Sequence, residues 1–282
     1  MRIVSLLPST TEILFAIGAG ADVVGVTFEC DFPAEARSRR VVSTSALPTG
    51  LSTTEIDTWV VEAMHRGDDL YHLAADALVD LEADLVVTQD LCAVCAVDVS
   101  VVDEALAHLG CTADVLTVDP HTLAEVFASI RTLGQATGHE PEAAALVTSL
   151  RERVDAVTRR VSGRARPKVM LLEWTEPPFA PGHWVPEMVA LAGGTPVLGT
   201  AGEKSFRVTW PDVHDARPDV IVCAPCGFDR AQSQALADEL VASGVLPAGI
   251  PVHAVDANAS WARPGPRLVD GIEELADLLH PR

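Results

Sequence analysis

The chain has 282 residues, 48% of them hydrophobic, with 40 acidic against 20 basic side chains and a formal net charge of −20. That is enough apolar material for one large core or two modest ones, and the acidic excess argues against nucleic acid and anionic membrane surfaces as partners. No apolar run is long enough to span a bilayer.

From the start, Ile3 to Leu7 is a short apolar run that reads as strand and turn, not as a cleavable leader. As written, the chain is therefore expected in the cytoplasm, and in the periplasm or at the cell surface if a leader precedes it. Ser9-Thr10-Thr11-Glu12 has capping-box spacing, with Ser9 as N-cap. Ile13, Leu14 and Ile17 give the helix that follows its apolar side, and Gly18 and Gly20 stop it. Val23 to Val26 is the next strand. A second capping box, Ser52-Thr53-Thr54-Glu55, opens a helix carrying Ile56, Trp59, Val60 and Met64. The strand Leu85-Val86-Val87 runs into a loop holding Cys92 and Cys95, and Ser100 and Asp103 open a helix through Leu109. Val115 to Val118 is a strand and residues 122–137 are a helix. A long helix over residues 141–162 follows, with Leu146, Leu150, Val154, Val157 and Val161 at helical spacing and arginines on its other face. Pro141 suits its first turn, Gly163 follows its end, and at 1.5 Å per residue it spans roughly 30 Å.

The second half repeats this grammar. Strand 169–172 runs into Glu173-Trp174-Thr175-Glu176-Pro177-Pro178-Phe179, read as a loop. Gly182-His183-Trp184-Val185-Pro186 precedes a short helix ended by Gly193-Gly194, and Thr209-Trp210-Pro211-Asp212 caps another. Strand 220–222 runs into Cys223-Ala224-Pro225-Cys226, strand 252–255 into the loop with Trp261, and the final helix ends near Leu279. Strands separated by helices predict an α/β fold with mostly parallel sheets. The pattern fits two lobes, 1–138 and 164–282, bridged by a helix over 139–163. It equally fits one continuous α/β domain with that helix packed on its sheet.

In parallel sheets, ligands bind outside the carboxyl ends of the strands. The loops at those ends hold five of the six cysteines, His183, and Trp174, Trp184, Trp210 and Trp261. Cys92 with Cys95 and Cys223 with Cys226 are two CxxC pairs. They could supply the four ligands of a zinc site, with Cys30 or His183 in reserve, act as redox dithiols near helix starts, or sit as small buried hydrophobes. His183 reads as a ligand, a proton carrier or a structural histidine. Glu173 beside Trp174 is a carboxylate whose pKa burial would raise, or an ordinary cap. The tryptophans are a flat ligand face or core anchors. No GxSxG, Walker A, HExxH or GxGxxG motif is present, so no enzymatic activity is expected.

An ordered set of segments points to a family. It comprises Arg2-Ile3-Val4-Ser5-Leu6 through Pro8, Thr11-Glu12-Ile13-Leu14, Gly18, Val24-Gly25-Val26, Cys30-Asp31-Phe32-Pro33 and Ala83-Asp84-Leu85-Val86. Gly193-Gly194, Trp210-Pro211, Arg217-Pro218-Asp219-Val220-Ile221-Val222 and Pro266-Arg267-Leu268 continue it. Together these resemble the cobalamin and iron-chelate binding proteins of ABC importers, over nearly the whole chain. The resemblance implies two α/β lobes bridged by a long helix, with a corrinoid or metal chelate held between them. By matching position it makes Phe179 and Trp210 pocket aromatics, puts Trp261 in a ligand-facing loop, and makes Glu55 the acidic residue that docks on an ABC permease. Ser45 stands where an aromatic is expected and Glu29 where a tyrosine is, residues 57–75 form an insertion, and the CxxC pairs look like a subgroup trait.

The expected function is non-enzymatic binding of cobalamin or a related corrinoid or metal chelate, linked to ABC-type uptake. Glu29, Trp174, Phe179, His183, Trp184, Trp210 and Trp261 are the expected ligand-binding residues. The alternative is a cytoplasmic metal-binding or thiol-redox protein on the same scaffold, using Cys92, Cys95, Cys223 and Cys226, with zinc as the metal.

Overall fold

The computed structural model of the chain describes residues 1–68, 70–73, 77–78, 80–89 and 113–281. The chain forms two compact units, Met1–Asp119 with Phe127–Val147, and Pro120–Val126 with Thr148–Arg282.

Unit 1 is built on a six-stranded sheet. Its strands are β1 (Ile3–Ser5), β2 (Val23–Thr27), β3 (Arg40–Ser45), β4 (Tyr71–Leu73), β5 (Leu85–Thr88) and β6 (Asp114–Thr117), in the spatial order β4-β3-β2-β1-β5-β6. All pairings are parallel except β3 with β4 at one edge. Strand β1 is buried along its whole length, as a central strand covered on both faces must be. Val4, Leu6, Val42, Leu78, Leu81 and Val86 form a core cluster on it.

Helix α1 (Pro8–Ala16) departs from the capping-box expectation. Leu7 is its N-cap and makes no side-chain cap bond. Proline's fixed φ suits a first helical turn and it needs no N–H partner there, so the helix starts at Pro8 and draws Ser9 inside. Thr10 and Thr11 instead turn inward. Their hydroxyls donate to the Leu7 carbonyl at 3.1 and 3.0 Å and meet the Ser5 hydroxyl at 2.7 and 2.8 Å. The buried network runs on to Cys30, whose Sγ lies 3.1 Å from Thr11 Oγ1 and 3.2 Å from Thr27 Oγ1. The box that opens helix α2 (Thr53–Arg66) forms as the spacing predicts. Ser52 N donates to Glu55 Oε2 at 2.8 Å and Glu55 N donates back to Ser52 Oγ.

Helix α3 (Leu123–Thr137) ends at Gly138 in the left-handed conformation, φ 72°, and α4 (Glu140–Val161) is one continuous helix of 22 residues. The boundary between the units falls within α4, after Val147. Its later turns are fastened to the C-terminal helix of unit 2. Arg153 holds Glu273 in a fork, Nε to Oε1 at 2.9 Å and Nη2 to Oε2 at 2.6 Å, and also donates to Asp270. Arg160 donates to Asp277 at 2.6 Å. A single exposed ion pair contributes little, but this one is bidentate and shared between two carboxylates. Arg153→Ala is expected to cost about 1 kcal/mol, or roughly 2 °C of melting temperature, and the loss should shrink in high salt. Thermal unfolding at two salt concentrations checks both effects.

Unit 2 has a four-stranded parallel sheet of β7 (Lys168–Leu172), β10 (Thr195–Pro196), β12 (Val220–Cys223) and β13 (Val252–Ala254), in the order β10-β7-β12-β13. Met170 and Leu172 on β7, Ile221 and Cys223 on β12, and Ala254 on β13 alternate toward one apolar cluster, as period-two strands require. A second, three-stranded antiparallel sheet consists of β8 (Trp174–Thr175), β9 (Pro178–Ala180) and β11 (Phe206–Arg207), in the order β11-β9-β8. Residues 173–179 are thus a hairpin, not the loop their sequence predicts, because strands of two or three residues interrupted by Pro177-Pro178 show no readable alternation. Helices α5 (Val185–Leu191), α6 (Trp210–Ala216), α7 (Arg230–Ser243), α8 (Ala257–Ser260) and α9 (Leu268–Leu279) complete the unit. The chain is therefore a mixed α/β fold with parallel sheets, as its pattern predicts. No helix among the described residues is long and apolar enough to cross a membrane.

Candidate functional site

The loops that leave β7, β12 and β13 in unit 2 are hydrogen-bonded into one surface. Cys226 N donates to the Glu173 carbonyl at 3.1 Å, and Asn258 N donates to the Phe228 carbonyl at 3.0 Å. On this surface the small antiparallel sheet lays out a row of side chains. Trp174 pairs directly opposite Phe179, and Phe179 directly opposite Arg207. Directly opposed residues in antiparallel strands share a face, so Trp174, Phe179 and Arg207 lie side by side with Phe179 in the middle. The Arg207 guanidinium carbon is 5.7 Å from the Phe179 ring centroid, a cation–π distance. Phe228 meets Trp174 edge-on at 5.6 Å, the T-shaped geometry that aromatic quadrupoles favour. All three rings are half-buried and Arg207 is exposed, whereas Thr175, Pro178 and Ala180 of the same hairpin are buried.

Glu173 anchors this hairpin. Its N–H donates to the Phe179 carbonyl at 3.2 Å, and its Oε1 accepts from Gly182 N at 2.9 Å. Burial pushes its carboxyl up to about 7, against the hydrogen bonds from Gly182 and Ser205 that hold it down. The next segment is equally constrained. His183 has a left-handed backbone, φ 51°. Its N–H donates to the Glu203 carbonyl at 2.6 Å, and its carbonyl accepts from Gly202 N at 2.9 Å. Its ring lies between those of His121 and Trp184, 5.6 Å from each.

The other expected ligand residues fall elsewhere. Trp184 is 8% exposed and Trp261 only 2%. Trp184 Nε1 donates to the Trp261 carbonyl at 2.8 Å, so these two rings anchor the interior behind His183. Trp210 opens α6 behind the Thr209–Asp212 capping box and packs half-buried on the apolar cluster. Glu29 belongs to unit 1, where the Tyr71 hydroxyl donates to its Oε2 at 3.3 Å and the Phe28 and Tyr71 rings lie 6.0 Å apart. Glu55, also in unit 1, is exposed, and its carboxyl is held below the usual range by the Ser52 backbone and hydroxyl donors.

Of the cysteine pairs, Cys92 and Cys95 lie outside the described residues. Cys223 is buried in the apolar cluster of β12, where burial pushes its thiol up to about 12, while Cys226 is exposed on the following turn. A zinc ligand is a thiolate, and this environment disfavours one at Cys223. Among the described residues no group of three or more histidine, cysteine or carboxylate side chains is placed to hold a metal ion.

Sequence reading missed Arg207, Phe228, Ser205 and His121. Phe228 could have been found as the aromatic closing the Cys223–Phe228 strand-end loop. Arg207 carries no local signal, since only strand pairing puts it beside Phe179.

Comparison with known proteins places the chain in a family. The family model described as periplasmic binding protein matches residues 3–250. An uncharacterized ABC transporter substrate-binding lipoprotein of Bacillus subtilis is 24% identical over 302 residues, 99% of this chain and 80% of that one. A vitamin B12-binding protein of Yersinia pestis is 25% identical over 279 residues, 97% of this chain and 84% of that one. Among solved structures, the periplasmic heme-binding protein HutB of Vibrio cholerae aligns with a TM-score of 0.71 at 19% identity, covering 100% of this chain and 99% of that one. The periplasmic vitamin B12 binding protein BtuF of Vibrio cholerae aligns at 0.63 and 19% identity, covering 99% and 96%. At these identities the structures speak for the fold.

Proposed function

The chain belongs to the periplasmic binding protein family, and from that premise we propose that it is a non-enzymatic carrier for cobalamin or a related corrinoid or metal chelate, serving ABC-type uptake. The observation that carries this reading is the row of half-buried aromatics, Trp174 and Phe179 with Phe228 behind them, on a hydrogen-bonded surface at the strand ends of unit 2. Flat apolar rings fixed on a rigid scaffold suit a flat macrocycle better than a flexible or strongly hydrated ligand. His183 offers an imidazole close by along the chain, with Trp184 beside it and Trp261 behind Trp184, and Trp210 packs on the apolar cluster of the same unit. Glu55 of unit 1 is the residue we assign to docking on the permease. The lipoprotein and periplasmic relatives favour a place outside the cytoplasmic membrane and give the cytoplasmic expectation no support. The position of Cys223 in the core gives the zinc or thiol-redox alternative no footing in the described residues.

Titration of the purified protein with cyanocobalamin and with haemin, followed by tryptophan fluorescence and ligand absorbance, tests the reading. Saturable one-to-one binding of at least one is expected. Trp174→Ala and Phe179→Ala should each weaken it about tenfold, the scale of losing one buried aromatic contact. Binding of neither ligand, or affinities that both substitutions leave untouched, would remove this site from the protein.

A further inference from the structure

The end of α4 and the start of β7 concentrate positive charge in an acidic chain. Residues 159–168 hold five basic side chains, Arg159, Arg160, Arg164, Arg166 and Lys168, and no acidic one, in a chain of net charge −20 with 20 basic residues in all. We propose that this stretch is a binding face for a linear chain of phosphates, at the end of β7 opposite the aromatic row. It goes beyond the carrier reading and does not depend on it.

The charges are exposed and uncompensated. Arg159, Arg164, Arg166 and Lys168 all face solvent, and none of these four is in an ion pair among the described residues. The carboxylates that meet the stretch are already engaged. Asp277 holds Arg160 at 2.6 Å, and Asp219 Oδ2 accepts from the Lys168 backbone N–H at 2.7 Å. The bland reading is that cations gather at helix C-termini to meet unpaired carbonyls, and the two middle arginines do so. Arg164 Nη1 donates to the His280 carbonyl at 3.3 Å, where α9 ends. Arg166 Nη2 donates to the Ala190 and Gly194 carbonyls at 3.0 and 2.6 Å, where α5 ends. Capping, however, occupies one or two of the five N–H donors of a guanidinium and neutralises none of its charge. It also leaves Lys168, which opens a strand, without a role. What the caps do is hold two guanidinium groups in place, which lowers the ordering cost of binding a partner.

The layout selects the shape of that partner. The cations are spread over the last turn of a helix, the turn after it and the first residue of a strand. A compact anion meets one or two of them, whereas a chain of phosphates meets all four, and arginine and lysine both pair with phosphate oxygens. The acidic excess of the whole chain repels polyanions at long range, but screening reaches about 8 Å at physiological salt, so this face acts through its own charge. A flat anionic membrane would also bring exposed Asp219 and Asp277 into range, while a chain can follow the cations alone.

Fluorescence polarisation with end-labelled polyphosphate tests this on the full chain. Binding is expected at low salt and should weaken about tenfold between about 50 and 150 mM, the scale of roughly three phosphate contacts by counterion release. Arg164→Gln, Arg166→Gln and Lys168→Gln together remove three charges and keep an N–H donor at each cap. That triple variant should lose about tenfold in affinity at low salt, with its melting temperature unchanged. Arg37→Gln, Arg66→Gln and Arg131→Gln together remove the same charge from unit 1 and should stay within about twofold of the parent. Lys168→Gln alone, which touches no cap, should lose about twofold to threefold. Equal losses in the two triple variants would assign binding to bulk charge and overturn the proposal. So would polyphosphate binding no tighter than pyrophosphate, or no polyphosphate binding at low salt, including the case in which anionic vesicles bind instead. Chelate titration of the unit 2 triple variant should match the parent. Absence of chelate binding in both would remove the carrier reading and leave this face in place.

Discussion

Gly182→Ala is expected to cost about 3 kcal/mol of stability, a large share of the 5–15 kcal/mol that holds a typical domain, and to abolish ligand binding in the protein that still folds. The reason is contact with backbone, not with a yielding side chain. A methyl at Gly182 would collide with the main chain of Lys204 and Ser205 and with the Glu203 carbonyl. Overpacking of this kind commonly costs 1–3 kcal/mol, and here neither side can give way freely. The Gly182 side is tied by its N–H to Glu173 and through His183 to Glu203 and Gly202, and the facing segment runs directly into β11. Relief therefore has to come from moving residues 203–207 away, which shifts Arg207 off Phe179. Denaturant unfolding gives the stability change and a titration gives the loss of binding. A variant that unfolds at the same denaturant concentration as the parent would show that the close approach is not a feature of the folded protein.

That close approach shows where the sequence was readable and where it was not. Periodicity and capping residues are local properties, and they located α4 to within a residue or so at each end, the α2 and α6 starts, and the parallel strands of both units except β3 and β10. The Ser9 box failed on a local competition that spacing does not reveal: proline at the preceding position started the helix first. The arrangement of the aromatic row was not legible for a different reason. Trp174 stood out by residue type and Phe179 through the family resemblance, but their mutual register is set by a hairpin too short to show a period. Arg207 joins them only through a third strand almost thirty residues away in the chain. Trp184 and Trp261 stood out for the same reason of residue type and belong to the interior, because composition does not distinguish a ring facing a ligand from one facing the core. The two tryptophans part by burial, and burial depends on contacts between segments distant in sequence.

Glu173 is the remaining group with a large expected effect, and its sign is opposite to that of most acids. A carboxyl that gains salt bridges on folding is depressed, and loses stability toward low pH. Glu173 is raised, from an ordinary 4.5 to about 7, with burial as the main cause. Between those values the native chain holds a proton that the unfolded chain has released, so stability falls as pH rises. Below about pH 4.5 both states are protonated and the group costs nothing. Through pH 7 the native carboxyl ionises, and above it the full cost is about 3 kcal/mol, from about 1.4 kcal/mol per pKa unit. Glu173→Gln keeps an oxygen to accept from Gly182 N and carries no charge at any pH. It should match the parent near pH 4, exceed it by about 3 kcal/mol at pH 8, and show a flatter slope between. Other carboxylates titrate in the same range, but they are common to both proteins, so the difference between the two curves isolates this one. Parallel curves from pH 5 to 8 would mean that the Glu173 carboxyl is reached by water and ionises normally. The hairpin that carries Trp174 and Phe179 would then be held by its backbone hydrogen bonds alone. A separation of the curves near neutral pH would instead show that the base of the aromatic row rests on a carboxyl that burial keeps protonated to near pH 7. Any ligand that dried it further would then take up a proton on binding.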